Sequence, residues 1–301
     1  MIITKLRSTF SIGLEEDTNL RYLGLSISQT SSGIKVSTDE YAKSLKVLSS
    51  NLQCNQNASL SADQLTVLKQ FCGQINWLST QGRPDISFDS CHIANSLKSG
   101  GSKVFSTANK IVRKTQNQTI TLNFYSDFNF ETCSVVSFCD ASFANLPNGG
   151  SQGGFVSFLI DKAGLYCPIA WQSRKIRRVV KSTIAAECLS AVEAAEMTIY
   201  LATLIKDIFQ LTSIVDTFVY CDNRNLVNAV HSSTNLEDKR LVIDVSVLRD
   251  FLQQKELSDF CWVSTEFQLA DTLTKQGASD KLLINVLNKK LCFKPDSALF
   301  E

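Results

Sequence analysis

Four carboxylates, each in a short motif of its own, constrain this chain more than any other feature. They are Asp140 in CDAS, Glu187 in AAEC, Asp222 in YCDN and Asp271 in LADTLTK. By pattern, Asp140 and Asp222 end apolar, strand-like runs, Glu187 falls in the first turns of a long helix, and Asp271 opens a late helix. A fold that gathers them concentrates four negative charges in one pocket. That is unfavourable unless divalent cations neutralise it, so the pattern points to metal-dependent phosphodiester chemistry. Oxygen donors suit Mg²⁺ or Mn²⁺, and a pair of ions roughly 3.5–4 Å apart would activate a water and stabilise a departing oxygen. With only two histidines, His92 and His231, the chain offers little for a zinc site or a His-based triad.

The four acids differ in how far the sequence places them. Asp140 shares strand parity with Val136 and Phe138. Glu187 lies three residues after Ile184 and four before Ala191, on a stripe with Cys188 and Ala195, so it points toward a sheet while Glu196 points to solvent. Asp222 ends TFVYCD, a strand expected beside the one carrying Asp140. Asp222 before Asn223 and Asp271 before Thr272 read equally well as helix caps or turn residues. Glu187 has no such alternative, because its stripe is otherwise apolar.

The remaining pattern suggests two units. The segment from Leu20 reads as strand, turn, strand, helix, with YLGLSI one alternating strand and Ser31-Ser32-Gly33 the turn. A polar stretch over 51–61 precedes a helix from Ser61 to about Ser79, which Arg83-Pro84-Asp85 interrupts. A helix over about 86–97, the segment Ser99-Gly100-Gly101-Ser102 and a basic helix follow, then a linker with a short strand over 115–133. The second unit runs strand, strand, strand, helix, strand, helix, helix, strand, helix, with a turn at Asn148-Gly149-Gly150 and Ser182 as N-cap of the helix from Thr183 to about Phe209. Three antiparallel strands followed by a helix and a parallel return describe a mixed sheet with helices on its faces. The expected division is 1–125, 126–280 and a C-terminal tail over 281–301. Hydrophobic residues at 44% supply a core, the net charge of +1 gives no global basic field, and no apolar run is long enough to span a bilayer. Ten cysteines without a CxxC pair, and no signal-peptide pattern at the N-terminus, fit reduced core thiols in an intracellular protein that is not secreted.

Beyond these residue-level readings, the chain resembles the C-terminal part of the Pol polyprotein of Ty1/copia-type LTR retrotransposons. YLGLSI, GIKVS and EYAKSLKVL are similar to the end of that family's polymerase palm, and QINWLSTQGRPDISF to its thumb region. SFCDASFAN, GGSQGGFVSFL, IAWQSRKIRRVVKSTIAAECLSA, YCDNRNLV, IDVSVLRD and VSTEFQLADTLTK are similar to its ribonuclease H domain, colinear over roughly residues 10–280. The resemblance implies an α/β fold: a ribonuclease H-like five-stranded mixed sheet flanked by helices, preceded by a smaller reverse-transcriptase remnant. It implies hydrolysis of the RNA strand of RNA:DNA hybrids with two Mg²⁺ or Mn²⁺ ions, and puts Asp140, Glu187, Asp222 and Asp271 on the family's metal-binding positions. The polymerase's own carboxylate motif would precede Phe10 and is absent, so DNA synthesis is not expected. Further partners it implies are the remaining Pol segments (polymerase, integrase) and no membrane, in a cytoplasmic particle or the nucleus.

Hybrid binding must then come from local features. Arg174, Lys175, Arg177, Arg178 and Lys181 put five cations in eight residues before the Glu187 helix and are expected on phosphates. Ser142, Ser182 and Asn223 are expected at sugar hydroxyls or the nucleic-acid backbone. Trp171 reads as core and His231 as a surface helix residue. Two departures from the family stand out: Val242 replaces the usual His before Ile243-Asp244, and residues 263–268 supply no His ahead of Asp271. The alternative reading is a catalytically inactive remnant that binds nucleic acid or assembles with Pol. A 3′–5′ exonuclease is disfavoured because Asp140 is followed by Ala141 and Ser142 rather than by a DxE pair.

Overall fold

The computed structural model describes residues 7–9, 18–48, 60–97, 103–146, 149–232 and 238–289, together with the backbone of 293–294 and 299–300. The polar stretch over 51–59, the Ser99–Ser102 segment and Asn148 lie outside the described residues.

The first unit is a four-stranded antiparallel sheet in the order β1 (Asn19–Tyr22), β2 (Leu25–Thr30), β3 (Gly33–Ser37), β4 (Thr121–Tyr125). YLGLSI is therefore two strands rather than one. Leu23 and Gly24 both take positive φ, 50° and 92°, the pairing that a two-residue hairpin turn requires, and Gly24 adopts it without steric cost. The short strand expected within 115–133 is β4, which closes this sheet.

Helices α1 (Asp39–Ser44), α2 (Ala62–Gln81), α3 (Ser87–Ser96) and α4 (Lys103–Asn117) complete the unit. Ser61 and Gln64 form a reciprocal capping box at the start of α2. Beyond Gln81 the chain turns at Arg83, and Pro84 opens a single 3-10 turn, Pro84–Ile86. Arg83 is wholly buried: its Nε and Nη2 donate to the two Asp85 oxygens at 2.8 and 2.9 Å, and its Nη1 to the Thr115 carbonyl at 3.0 Å. Lys114 extends this network, donating to the Asp85 carbonyl at 2.9 Å and pairing with Asp280 at 2.7 Å. The RPD motif thus ties three segments together around a wholly buried ion pair, Arg83–Asp85.

The second unit is a five-stranded mixed sheet in the order β7 (Tyr166–Lys175), β6 (Gly150–Ile160), β5 (Ser134–Leu146), β8 (Asp216–Cys221), β9 (Asp259–Trp262). β5–β6 and β6–β7 are antiparallel, whereas β5–β8 and β8–β9 are parallel. This is the ribonuclease H-like sheet that the resemblance implied. On one face, α5 (Thr183–Phe209), α6 (Arg224–His231) and α7 (Lys239–Gln253) enclose a core of Cys139, Cys188, Ala191, Ala195, Val219, Leu226 and Leu248. On the other, Val136, Phe138 and Phe158 pack with Ile120 and Leu122 of the first unit and with Leu269 and Leu273. The expected C-terminal tail begins instead as α8 (Lys281–Leu287), whose Leu283, Ile284, Val286 and Leu287 are buried in this same core.

α5 corrects a further expectation. At 27 residues it is long and apolar enough to cross a membrane by length and composition alone, although half of its most apolar stretch is buried. It serves here as the core helix of the sheet. Its Thr198 hydroxyl joins Ser137 and Ser157 in a buried hydrogen-bond chain with 2.6 Å links. Ser182 caps it by accepting from the Ala185 N–H, as the sequence predicts. The eight cysteines among the described residues are free thiols, also as expected.

Two adjacent glycines on β6 let elements approach from both faces. A Cβ at Gly153 would lie 3.3 Å from the Ser190 hydroxyl of α5. A Cβ at Gly154 would lie 2.8 Å from the Leu273 Cβ, so no side chain fits while the Leu273 turn rests there.

Arg83→Met leaves Asp85 buried without its partner, and should destabilise the chain by about 3–5 kcal/mol in denaturant unfolding. A loss under about 1 kcal/mol would contradict a structural role for the pair.

Candidate metal centre

The register of the parallel pair β5–β8 brings the first two acids level. Phe138 is the partner of Tyr220, and Asp140 and Asp222 each lie two residues further along. Asp140 is on β5 and buried. Asp222 follows β8 and is half-buried, its Oδ2 accepting from the Thr265 hydroxyl at 2.9 Å and its carbonyl from the Trp262 indole at 3.0 Å. Glu187 comes from the second turn of α5 and is also buried, as its apolar stripe predicts. The Cys221 thiol donates to Glu187 Oε2 at 3.5 Å, and one ligand atom from each of Glu187, Cys221 and Asp222 lies within 4.8 Å of the others.

Asp271 arrives differently from what its motif suggested. It opens a single 3-10 turn, Asp271–Leu273, and the next α-helix starts only at Lys281. The turn is held against the sheet by side-chain hydrogen bonds. Gln268 donates to the Cys139 carbonyl at 2.9 Å, Ser142 to the Thr274 carbonyl at 2.7 Å, and Ser173 to the Leu273 carbonyl at 2.6 Å. Thr274 then donates to Asp140 Oδ2, and Lys275 pairs with Asp271 while its Nζ lies 3.4 Å from Asp140 Oδ2.

Burial sets the electrostatics. It raises the Asp140 carboxyl above the ordinary carboxylate range, Lys275 and Thr274 pull it back, and Asp222 and Asp271 raise it again. Glu187 is raised to about 7, first by burial and then by Asp140 and Asp222, with Cys221 and Asn223 hydrogen bonds opposing. Cys221 is raised well above its ordinary value by its hydrogen bond with Cys139 and by burial, so it stays a thiol. Lys275 is depressed by burial, but Asp140 and Asp271 outweigh this and lift it. Negative charge has thus been placed where water does not fully solvate it. The donors are mostly carboxylate oxygens, with one protonated thiol beside them, so Asp140, Glu187 and Asp222 fit a hard divalent cation.

The nucleic-acid positions divide. Arg174 is paired with Glu193 and donates to it at 2.9 Å, and Arg178 pairs with Asp244 at 2.8 Å. Lys175, Arg177 and Lys181 are exposed along the same segment. Ser142 is buried with its hydroxyl engaged by Thr274, and Ser182 caps α5. Asn223 caps α6 through the Leu226 N–H and also bonds Glu187. Beside these acids lies a cleft of about 380 Å³ lined by Glu187, Asp222, Asn223, Arg224, Asn225 and Trp262, with the Arg224 guanidinium 3.8 Å above the Trp262 ring. Trp171 donates to the Ser79 carbonyl at 2.6 Å, a packing role as expected, and His231 is half-exposed on α6 with Nε2 2.7 Å from the Phe260 carbonyl.

Sequence reasoning passed over Thr274, Lys275, Gln268 and Thr265. A signal existed for one of them: Lys275 lies four residues after Asp271, the spacing at which opposite charges pair on a helical turn.

Raised carboxyl groups make the metal-free fold sensitive to alkali. Glu187 binds its proton more tightly folded than unfolded, so its contribution is fully present below about pH 4.5 and is lost as pH rises through about 7. Glu187→Gln should therefore gain on the order of 2 kcal/mol over wild type between about pH 5 and pH 8 in metal-free thermal unfolding. Parallel pH profiles would contradict the buried charge.

No protein-family model matches the chain. It is 31% identical to the retrovirus-related Pol polyprotein from transposon RE1 of Arabidopsis thaliana over 150 residues, 48% of this chain and 10% of that protein. It is 26% identical to a putative transposon Ty5-1 protein of Saccharomyces cerevisiae over 197 residues, 59% of each. The chain therefore spans a tenth of the Arabidopsis relative and under two thirds of the yeast one. Among solved structures, it is similar to RNase H1 from the halophilic archaeon Halobacterium salinarum NRC-1, with 18% identity, 50% of this chain and 97% of that chain covered, and a TM-score of 0.35. By sequence, the chain is a distant homologue of copia-type retrotransposon Pol polyproteins.

Proposed function

We propose that this chain is a retrotransposon-derived ribonuclease H: a divalent-metal-dependent endonuclease that hydrolyses the RNA strand of an RNA:DNA hybrid. The observation that carries the reading is the meeting of Glu187 and Asp222, whose ligand atoms lie within 4.8 Å together with Cys221, beside Asp140, which the β5–β8 register levels with Asp222; Asp140 and Glu187 are buried and raised. Distant homology to Pol polyproteins supports a hybrid as the substrate. Asp140, Glu187 and Asp222 would hold the cation, with Asp271 beside them. When bound, Mg²⁺ or Mn²⁺ supplies a lowered water pKa and neutralises charge developing on the phosphate oxygens.

The chain's own groups do the positioning. Thr274 fixes one oxygen of Asp140, Thr265 one of Asp222, and Asn223 and Cys221 hold Glu187, so the carboxylates are oriented before any ligand arrives. Lys175, Arg177 and Lys181 present positive charge to the duplex backbone, whereas Arg174 and Arg178 are engaged by Glu193 and Asp244. Arg224 and Trp262 form one wall of the cleft and offer a guanidinium to a phosphate entering it. The same proposal has the chain act inside the cell, alongside other Pol segments.

Cleavage of a labelled hybrid by the purified chain in Mg²⁺ or Mn²⁺ tests this. Asp140→Asn removes a charged oxygen donor with little change in shape, and should lower the rate by at least about 10³-fold, in line with other electrostatic catalytic groups. Wild type no faster than Asp140→Asn would sink the nuclease reading and leave the inert, nucleic-acid-binding remnant.

A further inference from the structure

The four acids do not form one uniform cage. Glu187 and Asp222 face each other on one side, with ligand atoms inside 4.8 Å together with Cys221. Asp271 lies on the other side, where Lys275 pairs with it. Asp140 stands between, one oxygen receiving the Thr274 hydroxyl and lying 3.4 Å from Lys275 Nζ. The two halves therefore share Asp140; the cation at the Glu187–Asp222 cleft, Arg224, is stacked on the Trp262 ring, whereas an ammonium already stands among the acids of the Asp271 half.

That charge is not incidental to a flexible surface side chain. The Lys275 side chain is about two-fifths exposed, and its backbone follows the turn pinned by Ser142, Ser173 and Gln268. Gly154 allows this turn to rest directly on β6 opposite Asp140, since Asp140 and Gly154 are register partners. The sheet thus delivers an ammonium to the gap between Asp140 and Asp271. A divalent ion entering that gap must displace the ammonium or share Asp140 with it at close range, and like charges at such distances repel strongly in a partly buried site.

Building on the metal-dependent reading above, we infer that Lys275 occupies the place of a second cation, so that the free protein binds one divalent ion, through Asp140, Glu187 and Asp222. Lys275 is on this account a positioning residue that sets the cation count of the resting site. Removing the ammonium restores an acidic gap that a second ion can fill.

The test is the number of Mn²⁺ ions bound per full-length, metal-free chain without nucleic acid, from equilibrium titration with electron paramagnetic resonance of free Mn²⁺. Wild type should bind one ion, Lys275→Met two, and Lys275→Arg one, because arginine keeps the charge. Two ions on wild type, or one on a Lys275→Met chain whose circular dichroism is unchanged, would overturn the inference while leaving the metal-dependent reading in place. No ion on wild type would overturn that reading and this inference with it. Should Lys275→Met fail to fold, the wild-type count decides alone: one supports the inference and two ends it.

Discussion

The rest of the structure depends on negative charge held where water only partly solvates it. Asp140 and Glu187 are buried, burial raises both carboxyls, Asp140 raises Glu187 further, and Asp222 raises each of them. A cluster of this kind is stable only if something positive offsets it. Lys275 supplies part of that offset on the Asp271 side. The Glu187–Asp222 side is left with hydrogen bonds from Asn223, Cys221 and Thr265, which orient carboxylates without neutralising them. The remaining deficit is what the proposed divalent cation would offset.

The architecture exists to bring these groups from distant parts of the chain. Register on β5 and β8 levels Asp140 with Asp222. The small residues of α5, facing Gly153, let the helix lie close enough for Glu187 to reach the strand ends. Gly154 does the same for the Leu273 turn on the opposite face. The first unit is joined to this arrangement rather than hung from it. Ile120 and Leu122 share a core with Phe138 and Leu273, and the buried Arg83–Asp85 pair reaches Asp280 through Lys114. The turn that carries Asp271 is thus enclosed by packing from both units.

Much of this was legible before any coordinates. The inward direction of Glu187 followed from its apolar stripe, and the parallel return of β8 from the order of strands and helix. The N-cap Ser182 and the break at Pro84 followed from local chemistry. What failed did so for physical reasons. Alternation in YLGLSI ignored that Leu23-Gly24 can turn within two residues. Asp271 looked like a helix start because an acid before an apolar run is a capping signal, yet tertiary hydrogen bonds hold it as one 3-10 turn. The five-cation run could not reveal that Glu193 and Asp244, distant in sequence, engage Arg174 and Arg178. Ser142 looked available because nothing local shows that Thr274 will consume its hydroxyl.

The most direct measurement of the central claim is thermal unfolding of the metal-free chain at about pH 8 with increasing Mn²⁺. A ligand that binds the folded carboxylate cluster stabilises it by about 2.7 kcal/mol at a hundredfold excess over Kd, and so raises Tm as its concentration grows. The account predicts that rise for wild type and its loss in the Asp140→Asn, Asp222→Asn double variant. A Tm indifferent to Mn²⁺, or an equal rise in both proteins, would contradict it.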